Sequence, residues 1–537
     1  MGEREKSAIV DDLVESAKRT GLSRRQFIRG TLAAGLSISA GSALWSSQVA
    51  AATPKRGGIY RVGMHDGNTS DSLDPGTTES VYMIQLNHAC RSYLTEITST
   101  NEIGPDAAVS WEASADASEW RFELAKNIVF HSGKPFTAED AVASLNYHRG
   151  EDTKSAAKTL LTDVEGIRAD GDHAVIIKMA SGNADLPYLL SDYHLVMLPA
   201  KPSGGIEWES GDGTGPYKIV HHDPGIGTEL VRHEQYHREN QAFFDGVKLT
   251  ALNDVNARQT ALLTNDVDAI SDVDLKTVRL LGRDPNIELD EVPSGTHATI
   301  PMFCDVAPFD NLDVRLALKH AIDREEIIQK ILFEHGSVGN DHPISPTLPY
   351  YAELPQREYD PEKARFHLKK AGAEGMEVEL SAADVVFPGA IDMCTLFREQ
   401  ASKVGITINV RREPNDGYWS NVWLVKPFVV VQWGTRPTPD VMFSLAYKEG
   451  AAWNESHWEN ETFNKLLLEA KAELDQAKRA EMYREMQLLC RDDGGTIVPY
   501  FRNRLSARRK NVQHGPNLAG NWELDGARSF QRWWFES

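Results

Sequence analysis

The segment His233-Glu234-Gln235-Tyr236-His237 matches the pattern H-E-x-x-H. In zinc peptidases this pattern supplies two metal-binding histidines and a glutamate that acts as general base. The chemistry requires both histidines on one face of a helix. Here the preceding letters GTELVR begin with glycine and favour a strand, and Asn240 and Phe243 stand where the longer metzincin pattern has Gly and His. We therefore interpret the match as a coincidence at a strand end, and a secreted zinc metallopeptidase is the alternative.

A second pattern that suggests chemistry is the glycine-rich segment GDGTGPYKIV, which contains Gly211, Gly213 and Gly215. A phosphate-binding loop of the form G-x-G-x-x-G needs a third spaced glycine and a helix directly after it. Pro216 departs from that pattern and a strand-like run follows, so we interpret these glycines as turn or hinge residues. The sequence also lacks the G-x-S-x-G and P-loop patterns. It predicts no enzyme, no cofactor and no metal site.

The first residues of the chain read as an export signal. Arg24-Arg25 follows Ser23, and a moderately apolar stretch rich in Ala, Gly and Ser runs from Thr31 to Trp45. The letters AAATP then offer small residues for cleavage. These features predict a twin-arginine (Tat) signal peptide over residues 1–52 and a soluble mature protein in the periplasm. A membrane anchor is the alternative, but the apolar stretch is shorter than the about 20 residues that a span needs.

Length and composition restrict the remaining possibilities. The chain has 537 residues, of which 41% are hydrophobic and 25% charged, as in soluble globular proteins. This length predicts two or three lobes rather than one core. The formal net charge is −21 and no basic block stands out, so nucleic acid is not a predicted partner.

The four cysteines do not form a metal-binding pattern. Cys90, Cys304, Cys394 and Cys490 lie far apart in sequence, and none belongs to a C-x-x-C pair, so structural zinc is not predicted. An oxidising compartment permits one disulfide, and Cys394–Cys490 is the pair to test. Buried free thiols are the alternative.

Strands and helices alternate along the chain, which predicts an α/β fold. Trp120, Phe122 and Leu124 alternate as in a strand, and Thr137 with Asp140 forms a helix-starting capping box. The segment NLDVRLALKHAIDREEIIQKILF predicts two helices with a break at Asp323. The segment FNKLLLEAKAELDQAKRAEMYREMQLLC predicts another pair with a break at Asp475.

Several segments, in consistent order over nearly the whole mature chain, resemble one family: the extracellular solute-binding proteins of bacterial ABC importers, of the peptide/nickel type (family 5, similar to dipeptide- and oligopeptide-binding proteins). In this resemblance Tyr236 takes the place of the tyrosine in the family's N-x-x-Y-W segment, which accounts for HEQYH without a metal. The matching segments are RGGIYRVG…SLDP, YLTEITSTNEIGPDAAVSWEASADASEWRFELAKNIVFHSGKPFTAEDAVASLN, GTGPYKIV, HEQYHRENQAFFDGVKL, VRLALKHAIDREEII, YDPEKARFHLKKAG and FNKLLLEA…RAEMYREMQLL.

The resemblance implies an α/β periplasmic-binding-protein type II (Venus-flytrap) fold with two ligand-enclosing lobes and an inserted third. It also implies a mostly monomeric protein that captures a small-molecule or peptide-like ligand by hinge closure, performs no catalysis and docks on the transmembrane subunits of a permease. A ligand sensor or chaperone of the same family is the alternative. The implied boundaries are lobe I at 53–84, 211–300 and 499–537, lobe II at 85–210, and lobe III at 301–498.

The resemblance also indicates where ligand binds. In peptide binders of the family, an Asp shortly after a Trp-containing strand of lobe III holds the peptide's ammonium group. Here the strand is Phe428–Gln432, Trp433-Gly434 follows, Thr435 stands where that Asp is expected, and Arg436 comes next. Asp440 is the alternative counter-charge. The departure favours an anionic or hydroxyl-rich ligand over a peptide with a free N-terminus.

Other residues are candidates for the same pocket by type and position. For the tryptophans, core packing is an equally open interpretation. From lobe III the candidates are Tyr418, Trp419, Trp453 and Asn454, and from the lobe I loop HDGNTSD they are His65, Asn68 and Thr69.

Overall fold

The structure is a computed structural model that describes residues 54–536; the predicted signal peptide therefore lies outside the described residues. The first of three regions, lobe I, is built on a mixed sheet of seven strands. The strand Ile59–Met64 lies inside this sheet, parallel to both of its neighbours. In spatial order the strands are Ile287–Val292, Arg504–Arg509, Ala269–Ile270, Ile59–Met64, Gly246–Ala251, Gly227–Arg232 and Tyr217–Asp223.

Helices and a pair of short strands near the C-terminus cover this sheet. Alternate side chains of the central strand, Tyr60, Val62 and Met64, are fully buried and share a core with the helix Val81–Cys90. The other elements of the region are the 3-10 turn Pro75–Thr77, the helices Val255–Leu263, Val278–Leu281, Glu523–Ala527 and Ser529–Arg532, and the paired strands Val512–Gln513 and Trp534–Phe535.

Lobe II has a four-stranded antiparallel sheet with its own core. Trp120, Phe122 and Leu124 are buried on one face of this sheet, as their alternation predicts. Thr137 and Asp140 form the predicted capping box at the start of helix Ala138–Tyr147. The sheet order is Ala108–Ala113, Glu119–Leu124, Ala174–Met179 and Val164–Ala169, and the remaining elements are the hairpin Thr95–Ile97 with Ile103–Pro105, the 3-10 turn Ala156–Leu161 and the helix Leu186–Leu189.

Lobe III has the largest core, between a five-stranded sheet, a parallel strand pair and eight helices of the described chain. Asp323 and Asp475 cap helices at the two predicted breaks. The sheet contains Gly336–Val338, Tyr500–Arg502, His297–Pro301, Val431–Trp433 and Thr496–Ile497, and the pair is Glu377–Ala382 with Thr407–Arg412. The helices are Leu312–His320, Arg324–Lys330, Pro361–Ala371, Ala390–Ser402, Tyr418–Asn421, Pro439–Ala446, Glu461–Ala472 and Gln476–Asp492.

The chain passes twice between lobe I and lobe III. One passage is 293–296, which joins strand Ile287–Val292 to strand His297–Pro301, and the other is residue 503, between two strands of different sheets. Two links of this kind, placed side by side, are the expected form of a hinge. The strand positions favour lobe boundaries here rather than at 300/301 and 498/499, and the division into lobes remains our proposal.

Lobe II is also attached to lobe I by two passages, near residues 91–92 and 211–215. Helix Val81–Cys90 packs in lobe I, which favours a boundary after this helix rather than after residue 84. A Cβ atom on Gly215 would lie 2.3 Å from the backbone nitrogen of Arg91. The two passages approach each other so closely at residue 215 that only glycine fits there. The glycine-rich segment therefore connects lobe II to lobe I and does not form a phosphate-binding loop.

Two further sequence expectations bear on the fold. All four cysteines are free thiols, so the possible Cys394–Cys490 disulfide is absent and the alternative of free thiols holds. Within residues 54–536, no helix combines the length and apolar character that crossing a bilayer requires.

Candidate ligand-binding cleft

Residues 433–436 lie against the passage between lobes I and III. Trp433 is the last residue of its strand and pairs with His297, the first residue after the passage. The backbone N–H of Gly295 donates a hydrogen bond to the Thr435 hydroxyl oxygen at 3.1 Å. Residues 433–436, which the sequence predicts to bind ligand, therefore lie on lobe III next to the passage that connects it to lobe I. This is the innermost part of a cleft between the two lobes.

Arg436 brings a cation to this position without an acidic partner. Its guanidinium carbon lies 5.6 Å from the centre of the Trp433 ring, and its N–H groups donate only to the carbonyls of Gly434 and Thr435, each at 3.3 Å. Among residues 54–536, no carboxylate lies within ion-pair distance of Arg436. Burial lowers the pKa of Arg436, while Tyr193 and Asp192 act in the opposite direction. A desolvated guanidinium of this kind favours an anionic group supplied by a ligand.

Lobe II contributes Tyr193 to the same place. The Tyr193 ring stands perpendicular to the ring of Trp522 of lobe I, with ring centres 5.2 Å apart. Burial raises the pKa of Tyr193, so its hydroxyl is a neutral hydrogen-bonding group. The adjacent Asp192 carboxylate lies 2.6 Å from His194 Nδ1, which gives it a partner other than Arg436. All three lobes therefore meet around Arg436, Tyr193 and Trp522.

Lobe I adds a second desolvated arginine. The Arg504 guanidinium carbon lies 5.8 Å from the centre of the Trp522 ring, and burial lowers the pKa of Arg504. Its nearest carboxylate, Glu523, is 3.8 Å away and also lies 3.5 Å from His65 Nδ1. The predicted candidate His65 thus lies next to Glu523 on the lobe I side of the cleft, and its Nδ1 is also 3.0 Å from the Ser271 hydroxyl.

The backbone after Trp522 adopts an uncommon conformation. Leu524, Asp525 and Gly526 are consecutive left-handed residues, with φ of 51°, 63° and 65°. Such backbone angles are disfavoured for residues with a side chain and persist only where neighbours enforce them. Here the Asp525 carboxylate accepts a hydrogen bond from the Ala519 N–H at 2.8 Å and pairs with Arg532 at 3.0 Å. The turn holds Trp522 and Glu523 in place beside Arg504.

The aromatic candidates of lobe III divide into two groups. Tyr418 is buried in the core, where its hydroxyl donates to the carbonyls of Val430 at 2.8 Å and Ser381 at 3.3 Å. Trp419 and Trp453 are 44% and 41% exposed. The structure therefore removes Tyr418 from the surface available to a ligand and leaves both tryptophans on it.

The other candidates make contacts that do not involve Arg436. Asn454 bridges a turn by donating to the Trp458 carbonyl at 2.9 Å, and it lines a separate cavity of about 610 Å³ in lobe III. Asn68 and Thr69 form an exposed turn that packs against Gly225, in the hairpin at the edge of the lobe I sheet. Tyr193, Arg504 and Trp522 were missed by sequence analysis, and the Gly- and Asn-rich letters around Trp522 are the one local signal for it.

HEQYH does not form a metal site. The preceding strand ends at Arg232, and the motif follows in turns rather than in a helix. His233 Nδ1 lies 3.3 Å from the Gly215 carbonyl, whereas His237 Nε2 lies 3.8 Å from the Asp106 carboxylate. In the part of the chain that the structure describes, no group of His, Cys, Asp and Glu has the geometry to hold a metal ion. The metallopeptidase alternative is not supported.

Comparison with known proteins agrees with this architecture. The family described as bacterial extracellular solute-binding proteins, family 5 (middle region), matches residues 102–455. The chain belongs to this family. The expected type II periplasmic-binding-protein fold is confirmed, because solved structures of similar proteins superpose on most of the chain.

Three similar proteins illustrate the range of the family. The dipeptide-binding protein of Escherichia coli is 24% identical over 518 residues, covering 88% of this chain and 94% of the relative. HbpA2 from Haemophilus parasuis has a TM-score of 0.77 at 20% identity, covering 87% of this chain and 99% of that one. The PBP AgaA from A.tumefacien R10, in complex with agropinic acid, has a TM-score of 0.70 at 21% identity, covering 89% and 99%.

Proposed function

We propose that this solute-binding protein is the capture component of an ABC importer, and that it encloses an anionic solute between lobes I and III. The observation that carries the proposal is Arg436, a desolvated guanidinium at the meeting point of three lobes with no carboxylate partner in the described chain. An enclosed ligand loses its water on all sides, so its charged groups need fixed partners in the protein. Arg436 offers a planar fork of donors suited to a carboxylate or phosphate.

Hinge closure is the proposed mechanism of capture. The two passages at 293–296 and 503 lie side by side, with the N–H of Arg502 donating to the Thr296 carbonyl at 2.7 Å. The Ser294 hydroxyl donates to the Arg502 carbonyl, also at 2.7 Å. Few backbone angles therefore have to change for the lobes to rotate. Closure brings Arg504 and Trp522 of lobe I toward Arg436 of lobe III around the ligand.

The site favours acids over free peptides. An ammonium group enclosed without a counter-charge costs several kcal/mol, and neither Thr435 nor Arg436 supplies one. Asp440 lies elsewhere, buried near Asp185 of lobe II. The complex of AgaA with agropinic acid shows that an acid is accepted within this fold. An opine-like conjugate, a blocked peptide or a carboxylate-rich metal chelate meets the same requirement.

The cellular setting of the protein follows from the family and the leader sequence. We propose export by the Tat route, cleavage near residue 52, and a largely monomeric periplasmic protein that delivers its ligand to a membrane permease. Replacement of Arg24-Arg25 by Lys-Lys is expected to leave unprocessed precursor in the cytoplasm. Unchanged maturation of that variant would contradict the export assignment.

The decisive experiment for ligand class is mass spectrometry of the solute released when freshly purified protein is denatured. We expect an acidic solute, and its re-addition is expected to raise the melting temperature, because ligand binding to the native state stabilises by RT ln(1 + [L]/Kd), about 2.7 kcal/mol at a hundredfold excess over Kd. Strong stabilisation by unmodified dipeptides, undiminished in Arg436→Ala, would contradict the proposed charge of the site.

A further inference from the structure

Four tryptophans form a continuous cluster of ring contacts that begins at the cleft. We call Trp419, Trp423, Trp433 and Trp453 the tryptophan wall. Trp433 is 4% exposed and has Arg436 on it, whereas Trp453 is 41% exposed. Ring centres of Trp433 and Trp453 are 5.9 Å apart, Trp423 lies 6.2 Å and 5.8 Å from these two, and Trp419 lies 5.8 Å from Trp423. The wall thus runs from the cationic end of the site to exposed indole surface.

A buried carboxylate, Glu455, links two rings of this wall, Trp423 and Trp433. Its Oε1 accepts hydrogen bonds from the Thr299 hydroxyl at 2.7 Å and from Trp433 Nε1 at 3.1 Å. Its Oε2 accepts from Trp423 Nε1 at 3.0 Å. Glu455 is 3% exposed, and within residues 54–536 no Lys, Arg or His lies at ion-pair distance from it. Its partners are therefore one hydroxyl and two indoles.

Burying a carboxylate without a cationic partner lowers the stability of the fold. We therefore expect Glu455 to have a role that offsets this loss, such as positioning the indole rings. Burial raises the pKa of Glu455, and the three hydrogen bonds that it accepts act against that rise. A buried indole N–H needs an acceptor, but a backbone carbonyl supplies one without a buried acid. A single carboxylate that accepts from two indoles, however, fixes the planes of both rings relative to each other. A rigid aromatic surface binds a planar group at low entropic cost.

We propose that the tryptophan wall binds a planar, apolar or aromatic group of the ligand whose acidic group reaches Arg436, and that Glu455 is the residue that positions the wall. This inference rests on the proposed function and narrows its ligand class to aromatic or otherwise planar anions. The ring contacts are continuous: Arg436 lies on Trp433, and Trp453, one ring contact farther along, is the first indole with a large exposed surface.

The first test uses two probes that carry the same carboxylate. N-acetyl-L-tryptophan offers an aromatic group and N-acetyl-L-alanine a methyl group, and calorimetry measures the affinity of each for the full mature protein. We expect at least tenfold tighter binding of N-acetyl-L-tryptophan, and loss of that preference in Trp453→Ala. Trp453→Phe is expected to restore part of it, because phenylalanine keeps a stacking surface. Equal binding of the two probes, or an unchanged preference in Trp453→Ala, overturns the proposal.

The second test addresses Glu455 directly. In Glu455→Gln one oxygen acceptor becomes an amide donor, so one indole N–H loses its partner. We expect at least tenfold weaker binding of N-acetyl-L-tryptophan and, without probe, a changed tryptophan emission spectrum. Glu413→Gln is the matched control, since Glu413 is also a largely buried lobe III carboxylate but accepts from Ser381 and Lys426. If both variants bind and emit like the wild type, Glu455 has no positioning role.

Failure of this inference is distinguishable from failure of the proposed function. A released solute that is acidic but has no planar or apolar group, and that still closes the cleft, refutes the tryptophan wall as a ligand surface and leaves solute capture intact. Absence of any closure on binding refutes solute capture by hinge motion whatever the tryptophan variants show.

Discussion

Two arginines of lobe III lie where lobe III meets other lobes, and they differ in what neutralises them. Arg479 and Asp185 of lobe II are each 1% exposed and lie 2.8 Å apart. Burial acts to lower the pKa of Arg479, but Asp185 and two tyrosines outweigh it, so the pKa stands above its usual value. Arg436, in contrast, has a lowered pKa and no carboxylate partner in the described chain. One arginine is satisfied by the protein, and the other is left for a ligand.

The difference separates a structural contact from a binding site. A buried charge without its partner is strongly destabilising, so a protein keeps one only where something else gains from it. At Arg479 the ion pair, with the Tyr350 and Tyr483 rings 4.9 Å and 5.5 Å from the guanidinium, fastens lobe II to lobe III. At Arg436 the missing partner is the reason to expect an anionic solute.

Breaking the satisfied pair is expected to give the largest effect. Asp185→Ala leaves the Arg479 guanidinium buried and alone, so we expect a loss of about 3–5 kcal/mol in the free energy of unfolding. The double variant Asp185→Ala with Arg479→Met is expected to lose much less than the sum of the losses in Asp185→Ala and in Arg479→Met, since both charges are removed together. Urea unfolding measures both. Additive losses would show that the two residues do not act as a pair.

The acid beside this pair is expected to make stability depend on pH. Burial, with a further contribution from Asp185, raises the pKa of Asp440 from 3.8 to about 7. The folded state then keeps a proton that the unfolded chain releases near pH 4, so this group costs stability as pH rises from 4 to 7, by up to about 4 kcal/mol.

Asp440→Asn removes that titration. The variant is expected to match the wild type near pH 4 and to be the more stable protein at pH 8. The comparison of unfolding free energies at the two pH values cancels the contributions of the buried histidines, which both proteins share. If the difference in unfolding free energy between Asp440→Asn and the wild type is the same at both pH values, the raised pKa of Asp440 is contradicted.

Replacement of Arg436 is expected to change ligand affinity without lowering the stability of the ligand-free protein. Arg436→Ala is expected to weaken binding of the released solute by at least about 2 kcal/mol, because it strands an enclosed anion. The unfolding free energy of the ligand-free protein is expected to stay the same or to rise, since no partner is lost. Calorimetry and urea unfolding give the two values. A large loss of stability with unchanged affinity would make Arg436 a structural residue like Arg479.

An exposed ion pair between the same two lobes provides the smallest expected effect. Lys471 pairs with Asp163 at 2.6 Å, but the two side chains are 23% and 46% exposed. Lys471→Ala is expected to cost about 0.2–1 kcal/mol in unfolding free energy, and less in high salt. A cost as large as that of Asp185→Ala would show that burial does not distinguish the two contacts.

Local features were predictable from sequence, and convergence in space was not. The caps at Asp323 and Asp475 and the alternation of Trp120, Phe122 and Leu124 were correct because neighbours in sequence determine them. Arg436 was selected through the family resemblance. Tyr193 and Trp522 were missed because their proximity depends on three lobes folding around one point.

Some predictions of function from residue type also needed the structure. Tyr418 and Trp419 are neighbours in sequence, yet one donates hydrogen bonds in the core and the other is 44% exposed. Glu455 gave no sequence signal at all, since a glutamate in a polar loop is ordinarily exposed. Only the hydrogen bonds to Trp423 and Trp433 distinguish it.

The central claim is that an anionic solute closes the cleft between lobes I and III by engaging Arg436. Small-angle scattering of the purified protein, freed of ligand and then saturated with the solute that it released, tests this most directly. We predict a smaller radius of gyration with solute for the wild type, and a lesser decrease for Arg436→Ala at the same solute concentration. A radius that stays unchanged in the saturated wild-type protein would contradict the account.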